Sequence, residues 1–526
     1  MYETLLSKIP DVYWDKYPNL IENIEENPFF LVNDEDMYPF TEVATNIKVA
    51  TFDTFLLLMR YAIKESLIWT AKAGDTCIKI NTLNDRIQWL LRQTKHYFKG
   101  SIRPYLRYFE EDFHIDFSKN LIGLKKYYEM ERVVKSFITS RINERSSLKV
   151  CKSYIVPQFL DDAQKNVVEN FNKNRILVLT GGPGTGKSTV VKEIIDRIVP
   201  NTKIAVTAPT GKACIVLKSI IRNLDNGISC TTQKLLGFGR VLTKEDIEEL
   251  RTIECFIVDE TSMVDLYNMF LIASIYKDTP TTFIFVGDVN QLPSVDCGYV
   301  LHDLVELGVK TYKLTKNFRS EQTIAHNAEA IIKGKTNFIF DDEFELRDIS
   351  ENPLDANTDV LLTPYKSEKK LNSSYHLNKE AQKRRFGLLP EGQLFHAGDD
   401  IIFSRTNYKR HYINGEVGKI VEINAESILI RKRDVENDGY MLVEVENLDD
   451  IDLAYALTIH KSQGSEYGTC GIVISDYSSF VSKQLLYTAI TRAKHKVILW
   501  STREILKKIA TTEYEGRMSF ISQKAV

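Results

Sequence analysis

No charge of one sign dominates this sequence: 68 lysines and arginines face 71 aspartates and glutamates, a formal net charge of −3. A global basic field that would advertise a nucleic-acid partner is therefore missing, and only a local basic groove is left for that role. Paired cysteines are missing too. The seven, Cys77, Cys151, Cys214, Cys230, Cys255, Cys297 and Cys470, are scattered and form no C-x-x-C pair. That argues against a structural zinc site or disulfide framework and fits a reducing, cytoplasmic or nucleoid-associated setting. Long uncharged apolar runs are absent as well. The most apolar helical stretch, Phe52 to Trp69, contains Asp53, Arg60, Lys64 and Glu65, so it reads as a buried helix and no membrane partner is expected. The opening MYETLLSKIPDVYWDKY lacks the basic-then-apolar order of a signal peptide. No repeat or low-complexity tract is evident. What is present is an ordinary globular mixture, 43% hydrophobic and 26% charged, over 526 residues, long enough for three or four domains.

Residues 1–150 are expected to form a helical N-terminal domain, because apolar helix-like runs such as TFLLLMRYAIKESLIW and RIQWLLRQTKHYF dominate. From Arg175 the pattern changes. The β-branched runs RILVLT, KIAVTAP, CFIVDE and TTFIFVGD are each followed by a loop and a helical stretch, and VLLTPY, GIVISD and KVILWS form a second set. Such alternation predicts parallel sheets covered by helices, hence an α/β chain with two tandem P-loop-type domains, at 151–305 and 306–526. The runs DDIIFSRT, EVGKIVEI, SILIRKR and YMLVEVE have no helix between them, so residues 396–450 are expected to be a small β-barrel inserted in the second domain.

GGPGTGKST at 181–189 fits the phosphate-binding pattern G-x-x-x-x-G-K-[ST] between a predicted strand and helix. Gly182, Gly184, Thr185, Gly186, Ser188 and Thr189 would wrap the phosphates of ATP with inward N–H groups at a helix N-terminus, with Pro183, which lacks an N–H, in the same loop. Lys187 is expected to reach the β- and γ-phosphates, and Ser188 to hold Mg²⁺. Hydrolysis also needs a second metal ligand and a group that orients water. In FIVDETS, Asp259 suits the metal and Glu260 the water. Gln291 in VGDVNQLPSV, after the next strand, is placed to sense the γ-phosphate.

The series GGPGTGKST, APTGKA, TTQKLLG, VDETSMVD, GDVNQLP, LTKNFRS, ALTIHKSQGSE and LYTAITRAK, spanning about residues 155–505, resembles that of superfamily 1 helicases, in the branch containing RecD and the phage helicase Dda. The resemblance implies two RecA-like domains with ATP in the cleft between them and 5′→3′ movement on single-stranded DNA. It also implies that Gln164 reads adenine, that Arg319 and Arg492 reach the γ-phosphate, that Glu466 contacts the ribose and that Gly464 approaches the nucleotide.

Strand contacts are expected from each α/β domain: Pro209, Thr210 and Lys212, then Thr231, Thr232 and Lys234 in the first; Thr363 and Tyr365, then Thr458, His460 and Lys461 in the second. Short hydroxyls and lysines suit backbone phosphates, which carry no sequence information. Tyr408 and Tyr412, in the basic stretch SRTNYKRHYINGE, are candidate base-stacking residues. Only GFGRVLTKEDIEELRTIE separates TTQKLLG from the acidic strand, so any strand-separating hairpin is short, around Gly237–Thr243. The expected activity is ATP-driven translocation on single-stranded DNA and unwinding at single-strand/duplex junctions. Two alternatives stay open. The chain is a motor subunit of a RecBCD-like nuclease or repair complex docked through residues 1–150, or it is an RNA helicase.

Overall fold

The computed structural model describes residues 19–521 except 33–38, 221–226, 238–239, 319–321, 391, 408–409, 411, 434–438, 479 and 514–515. Among them lie four sheets. The N-terminal region begins with helices, as its apolar periodicity predicts. In the helix Ile80–Gln93, the buried Leu83, Ile87, Leu90 and Leu91 fall on one face. The helix Phe52–Lys72 presents Leu58, Met59, Ala62 and Ile63 to the same core. It starts in a capping box, where Thr51 and Thr54 exchange side-chain and backbone hydrogen bonds.

This region is not helical throughout. Strands β1 (Cys77–Lys79), β2 (Phe113–Asp116) and β3 (Leu121–Leu124) form an antiparallel sheet in the order β1-β3-β2. Strands of three or four residues are too short to show a period of two, which is why helical reading alone misses them. The helix that follows, Lys125–Thr139, sends Val134, Phe137 and Ile138 into the core beneath the next sheet.

That sheet is parallel: β4 (Ile176–Gly181), β5 (Ile204–Ala208), β6 (Gly227–Thr231), β7 (Cys255–Val258), β8 (Thr282–Gly287) and β9 (Lys310–Leu314), in the order β6-β5-β7-β8-β4-β9. Strands β4, β5, β7 and β8 are buried along their whole length, as expected for strands covered on both faces. The division expected at 305/306 is corrected here, because β9 pairs with β4 and so belongs to the first sheet. Its sequence KTYKL is an edge strand with exposed lysines and lacks the apolar run of its neighbours.

The second sheet holds β10 (Phe344–Arg347) and β11 (Val360–Thr363). Between β11 and the rest come β12 (Asp400–Phe403), β13 (Val417–Ile423), β14 (Ser427–Lys432), β15 (Tyr440–Glu444) and β16 (Ile451–Leu453), an antiparallel sheet ordered β15-β14-β13-β12-β16. Among the described residues no pairing joins β15 to β16, so the hydrogen bonding is open. Strands β17 (Ala456–Thr458), β18 (Tyr467–Val473) and β19 (Ala493–Trp500) then complete the parallel order β10-β19-β18-β11-β17. All seven cysteines are unpaired. Among the described residues no helix is long and apolar enough to cross a membrane.

Residues 516–521 return to the first sheet and the N-terminal region. The Arg517 Nη1 donates to Ser294 Oγ at 3.1 Å and to the carbonyls of Asp296 and Gly298 at 2.9 and 2.8 Å. The Met518 N–H donates to Asp75 and the Ser519 hydroxyl to Asp303. The Phe520 ring meets His114 and Tyr128 edge-on at 5.1 and 5.5 Å. Glu131 accepts from Thr76 Oγ1 at 2.6 Å and from the Phe520 N–H at 3.0 Å. Burial pushes the Glu131 carboxyl up to about 8. A carboxyl whose folded value lies above its unfolded one adds stability that is complete at acid pH and is lost as pH rises through the folded value. The urea midpoint is therefore expected to fall between roughly pH 5 and pH 9, and Glu131→Gln, whose amide keeps both partners, to flatten that dependence. A wild-type midpoint independent of pH in this window contradicts the assignment.

Candidate active site

The P-loop leaves β4 at the edge where parallel strands end, the usual ligand edge of such sheets. Gly184 and Gly186 adopt φ of +76° and +81°, left-handed values that side chains resist. Gly186 is the N-cap of the helix Lys187–Arg197, whose buried Val190, Val191, Ile194 and Ile195 anchor it to the sheet. The Thr185 hydroxyl donates to the Gly182 carbonyl at 2.8 Å, and Lys187 Nζ donates to the carbonyls of Gly181 and Gly182 at 2.8 and 3.0 Å. Pro183, Ser188 and Thr189 are half-buried beside them. A helix N-terminus, a ring of turned-in glycines and one lysine make a seat for phosphate.

Gln164 has a different occupation from the one expected of an adenine reader. It is 4% exposed. Its Oε1 accepts from the Asp161 N–H at 3.0 Å in a capping box, and its Nε2 donates to the Thr185 carbonyl at 3.1 Å. A contact to a base would have to open these bonds. In this structure Gln164 braces the P-loop from behind.

Asp259 and Glu260 follow β7. The Asp259 N–H donates to the Thr207 carbonyl of β5 at 2.8 Å, and the Asp259 carboxylate accepts from the Glu260 N–H at 2.8 Å. Desolvation, then the neighbouring Glu260 charge, pushes the Asp259 carboxyl up to about 7. Glu260 has φ of +50°, a left-handed backbone that costs a non-glycine residue about 1 kcal/mol or more. This strain at the catalytic candidate aims it off the strand line. Gln291 is buried after β8, three residues beyond Asp288.

Asp288 and Tyr487 were not singled out from sequence, although both sit inside quoted motifs. The Tyr487 hydroxyl, on the helix Lys483–Ile490 of the second sheet, donates to Asp288 Oδ2 at 2.7 Å. It also lies against Gly182, where an added Cβ would stand 3.1 Å from it. Burial raises the Asp288 carboxyl and lifts the Tyr487 hydroxyl well above its ordinary range. The Leu292 N–H donates to Thr488 Oγ1 at 3.0 Å, and the Phe318 N–H to the Gly184 carbonyl at 2.9 Å. The second sheet thus closes over the phosphate seat along one seam.

Arg319 lies outside the described residues. Arg492 is 3% exposed and donates to the carbonyls of Thr488 and Ser465 at 3.1 and 3.2 Å. Both partners lie in the part of the chain that carries the second sheet. Gly464 approaches Thr210 of the first unit, with a Cβ position 3.1 Å from Thr210 Oγ1. Glu466 is exposed and 3.5 Å from Lys494.

The expected strand contacts separate into two groups. Pro209, Thr210, Lys212, Tyr365, Thr458, His460 and Lys461 keep accessible surface. Three hydroxyls are corrected; Thr231 is 7% exposed and accepts from the Lys234 N–H as a helix cap. Thr232 is 1% exposed and donates to Thr207 Oγ1 at 3.1 Å, while Thr363 is fully buried and donates to the Asn372 carbonyl at 2.8 Å. Thr232 ties its helix to β5 and Thr363 holds the loop at Asn372, and neither offers surface to a phosphate. Tyr408 lies outside the described residues. Tyr412 is corrected too: it is fully buried, stacks on Phe403 and bonds Asp450. In the interval Gly237–Thr243 the described residues form no strand, and Phe238 and Gly239 lie outside them.

The chain matches the model of an AAA domain over residues 159–346 and of a UvrD-like helicase C-terminal domain over 453–500. It is 27% identical over 385 residues to the ATP-dependent RecD2 DNA helicase of Deinococcus radiodurans, covering 69% of this chain and 52% of that protein. It is also 27% identical over 444 residues to the RecBCD enzyme subunit RecD of Mycobacterium tuberculosis, covering 72% and 76%. These matches make it similar to the RecD-like helicases of superfamily 1. The chain spans about half the length of RecD2 and of a second relative, the uncharacterized protein MJ1519 of Methanocaldococcus jannaschii, 52% and 55%. A crystal structure of Pif1 helicase from Bacteroides with ADP-AlF3 and single-stranded DNA aligns with a TM-score of 0.45 at 18% identity, covering 66% of this chain and 94% of that one.

Gly186→Ala places a Cβ 2.4 Å from Gln164 Nε2 on a left-handed backbone. The expected outcome is a loss of about 1–3 kcal/mol in stability together with lost binding of a fluorescent ATP analogue. Unchanged binding would show that the brace does not shape the loop.

Proposed function

We propose that the chain is an ATP-dependent helicase and translocase that moves 5′→3′ along single-stranded DNA. The observation that carries this reading is the seam at the P-loop. Elements of two parallel sheets meet where Lys187, Asp259 and Glu260 converge, and accessible strand-contact candidates lie on both sides.

The working division has an N-terminal module, a first RecA-like unit through β9 and a second that starts near β10. The antiparallel sheet β12–β16 is a small barrel-like module carried by the second unit. Lys187 holds the β- and γ-phosphates of ATP, and the N–H groups of 182–189 surround them. Ser188 and Asp259 would hold Mg²⁺, which when bound would supply neutralising charge to the phosphates. The desolvated Asp259 carboxyl supports this reading, because it would gain from a cation beside it. Glu260 orients water toward the γ-phosphate, and Gln291 and Arg319 respond to that phosphate. Arg492 joins them on breaking its carbonyl bonds, as the cleft tightens. Pro209, Thr210 and Lys212 grip the backbone from the first unit; Tyr365, Thr458, His460 and Lys461 grip it from the second. Net motion needs grip that differs between open and closed clefts.

A second reading is favoured by one observation. Phe52 and Tyr108 of the N-terminal region are about half exposed, at 54% and 48%, with their rings 6.0 Å apart. Such a surface suits a protein partner, so the motor would act as a subunit of a larger nuclease or repair assembly.

Lys187→Ala and Glu260→Gln are each expected to abolish strand-stimulated ATP turnover while circular dichroism and thermal midpoint stay close to wild type. Retained turnover in either variant sinks the role given to that residue. On forked substrates, a 5′-tailed duplex is expected to be unwound in preference to a 3′-tailed one, and the opposite preference overturns the polarity.

A further inference from the structure

A cavity of about 610 Å³ lies away from the phosphate seat, and none of the residues 181–189 lines it. Its walls are the helix Ser374–Phe386, residues 387–389 and 393–395, and the chain around β16 and β17. The helix explains the lining. Ser374, Asn378 and Gln382 are four residues apart and share one stripe; Tyr375, Lys379 and Lys383 form the neighbouring stripe. The first stripe is buried and fastens the helix. Asn378 Nδ2 donates to the carbonyls of Leu453 and Ala456 at 3.0 and 2.9 Å, and Gln382 Nε2 donates to Asp399 at 2.6 Å. With the helix so held, the second stripe opens onto the cavity. Lys379 and Lys383 are exposed there, and Lys379 Nζ sits 4.3 Å from the centre of the Tyr375 ring.

The opposite wall carries Thr458 and Lys461, already read as strand contacts, with Lys366 beside them. Asp452 holds both lysines, at 2.6 Å from Lys461 and 3.4 Å from Lys366. The lining thus has four lysines against two aspartates, Asp449 and Asp452. Two leucines at the rim are largely exposed, Leu388 at 83% and Leu394 at 64%. A solvated helix face explains the lysines alone. It does not explain why they share a cavity with exposed leucines and a tyrosine, next to Thr458. A ligand with regularly spaced anions and flat apolar groups matches both halves of the lining, and a polynucleotide strand is that ligand.

We infer that this cavity is a further strand-binding subsite, continuous with Thr458 and Lys461, which takes single-stranded DNA as the strand passes under the β12–β16 sheet. Lys379 and Lys383 contact phosphates, and Tyr375, Leu388 and Leu394 lie against bases. Asp452 keeps Lys461 and Lys366 pointed into the track. The inference rests on the single-stranded DNA reading above.

The test is the salt dependence of binding to a fluorescein-labelled oligothymidylate, followed by anisotropy on the full chain. Each phosphate contact contributes about 0.7 to the slope of log K against log salt for single strands. Lys379→Gln/Lys383→Gln is therefore expected to weaken binding and to lower the slope by about 1.4, with ATP turnover in the absence of DNA unchanged. Lys507→Gln, outside the cavity, serves as the control and is expected to keep the wild-type slope. Wild-type affinity and slope in the double variant overturn the subsite while leaving the DNA reading intact. A wild-type chain that binds no oligothymidylate overturns both.

Discussion

Everything proposed for this chain depends on keeping five residues, 182–186, in a backbone conformation that a free peptide would not hold. Two left-handed glycines turn the loop, and their entropy cost on folding is real. The loop stays open because it is clamped from several sides. Gln164 holds it from behind through the Thr185 carbonyl, Lys187 pins its entrance, and the Phe318 N–H binds the Gly184 carbonyl. The clamp reaches beyond the first sheet, because Tyr487 from the second unit rests at Gly182. The geometry that seats a phosphate is therefore coupled to the geometry of the cleft.

That coupling gives a physical meaning to the buried polar groups along the seam. The Tyr487–Asp288 hydrogen bond, the Thr488 acceptor for Leu292 and the carbonyl partners of Arg492 are all out of water. Buried polar groups are satisfied only in particular arrangements, so such a seam favours discrete positions over a continuum. A motor needs such discreteness, since each position must grip the strand differently.

Much of this was legible in sequence for identifiable reasons. Strands buried on both faces announce themselves as apolar runs, so β4, β5, β7 and β8 were readable, and the P-loop pattern is long enough to be specific. Edge strands and short strands were not: β9 carries lysines, and β1 to β3 are too brief to show a period. The placement of Lys187 and Asp259 beside the P-loop was legible, because few side chains suit the chemistry proposed there. They were not legible where a small polar residue serves either a ligand or a loop. Thr232, Thr363 and Gln164 looked like ligand contacts and are buried in hydrogen bonds to strand β5, to the loop at Asn372 and to the P-loop itself. Tyr412 fails for a related reason, because a basic neighbourhood in sequence says nothing about which way a ring packs. Tyr487 and Asp288 went unread because their pairing spans 199 residues.

The segment 516–521 bears on how force would travel. The second unit is joined covalently to the first at its start, and beyond its last helix the chain is fastened again, through Arg517 to the loop 294–298 and through Phe520 to His114 of the N-terminal sheet and Glu131 of the helix after it. A body suspended at two points has fewer ways to move than one on a single tether. Swinging about the line between the anchors stays easy, while twisting across it meets resistance. Torque from a pulled strand would then be carried into the N-terminal module, making that module part of the chassis.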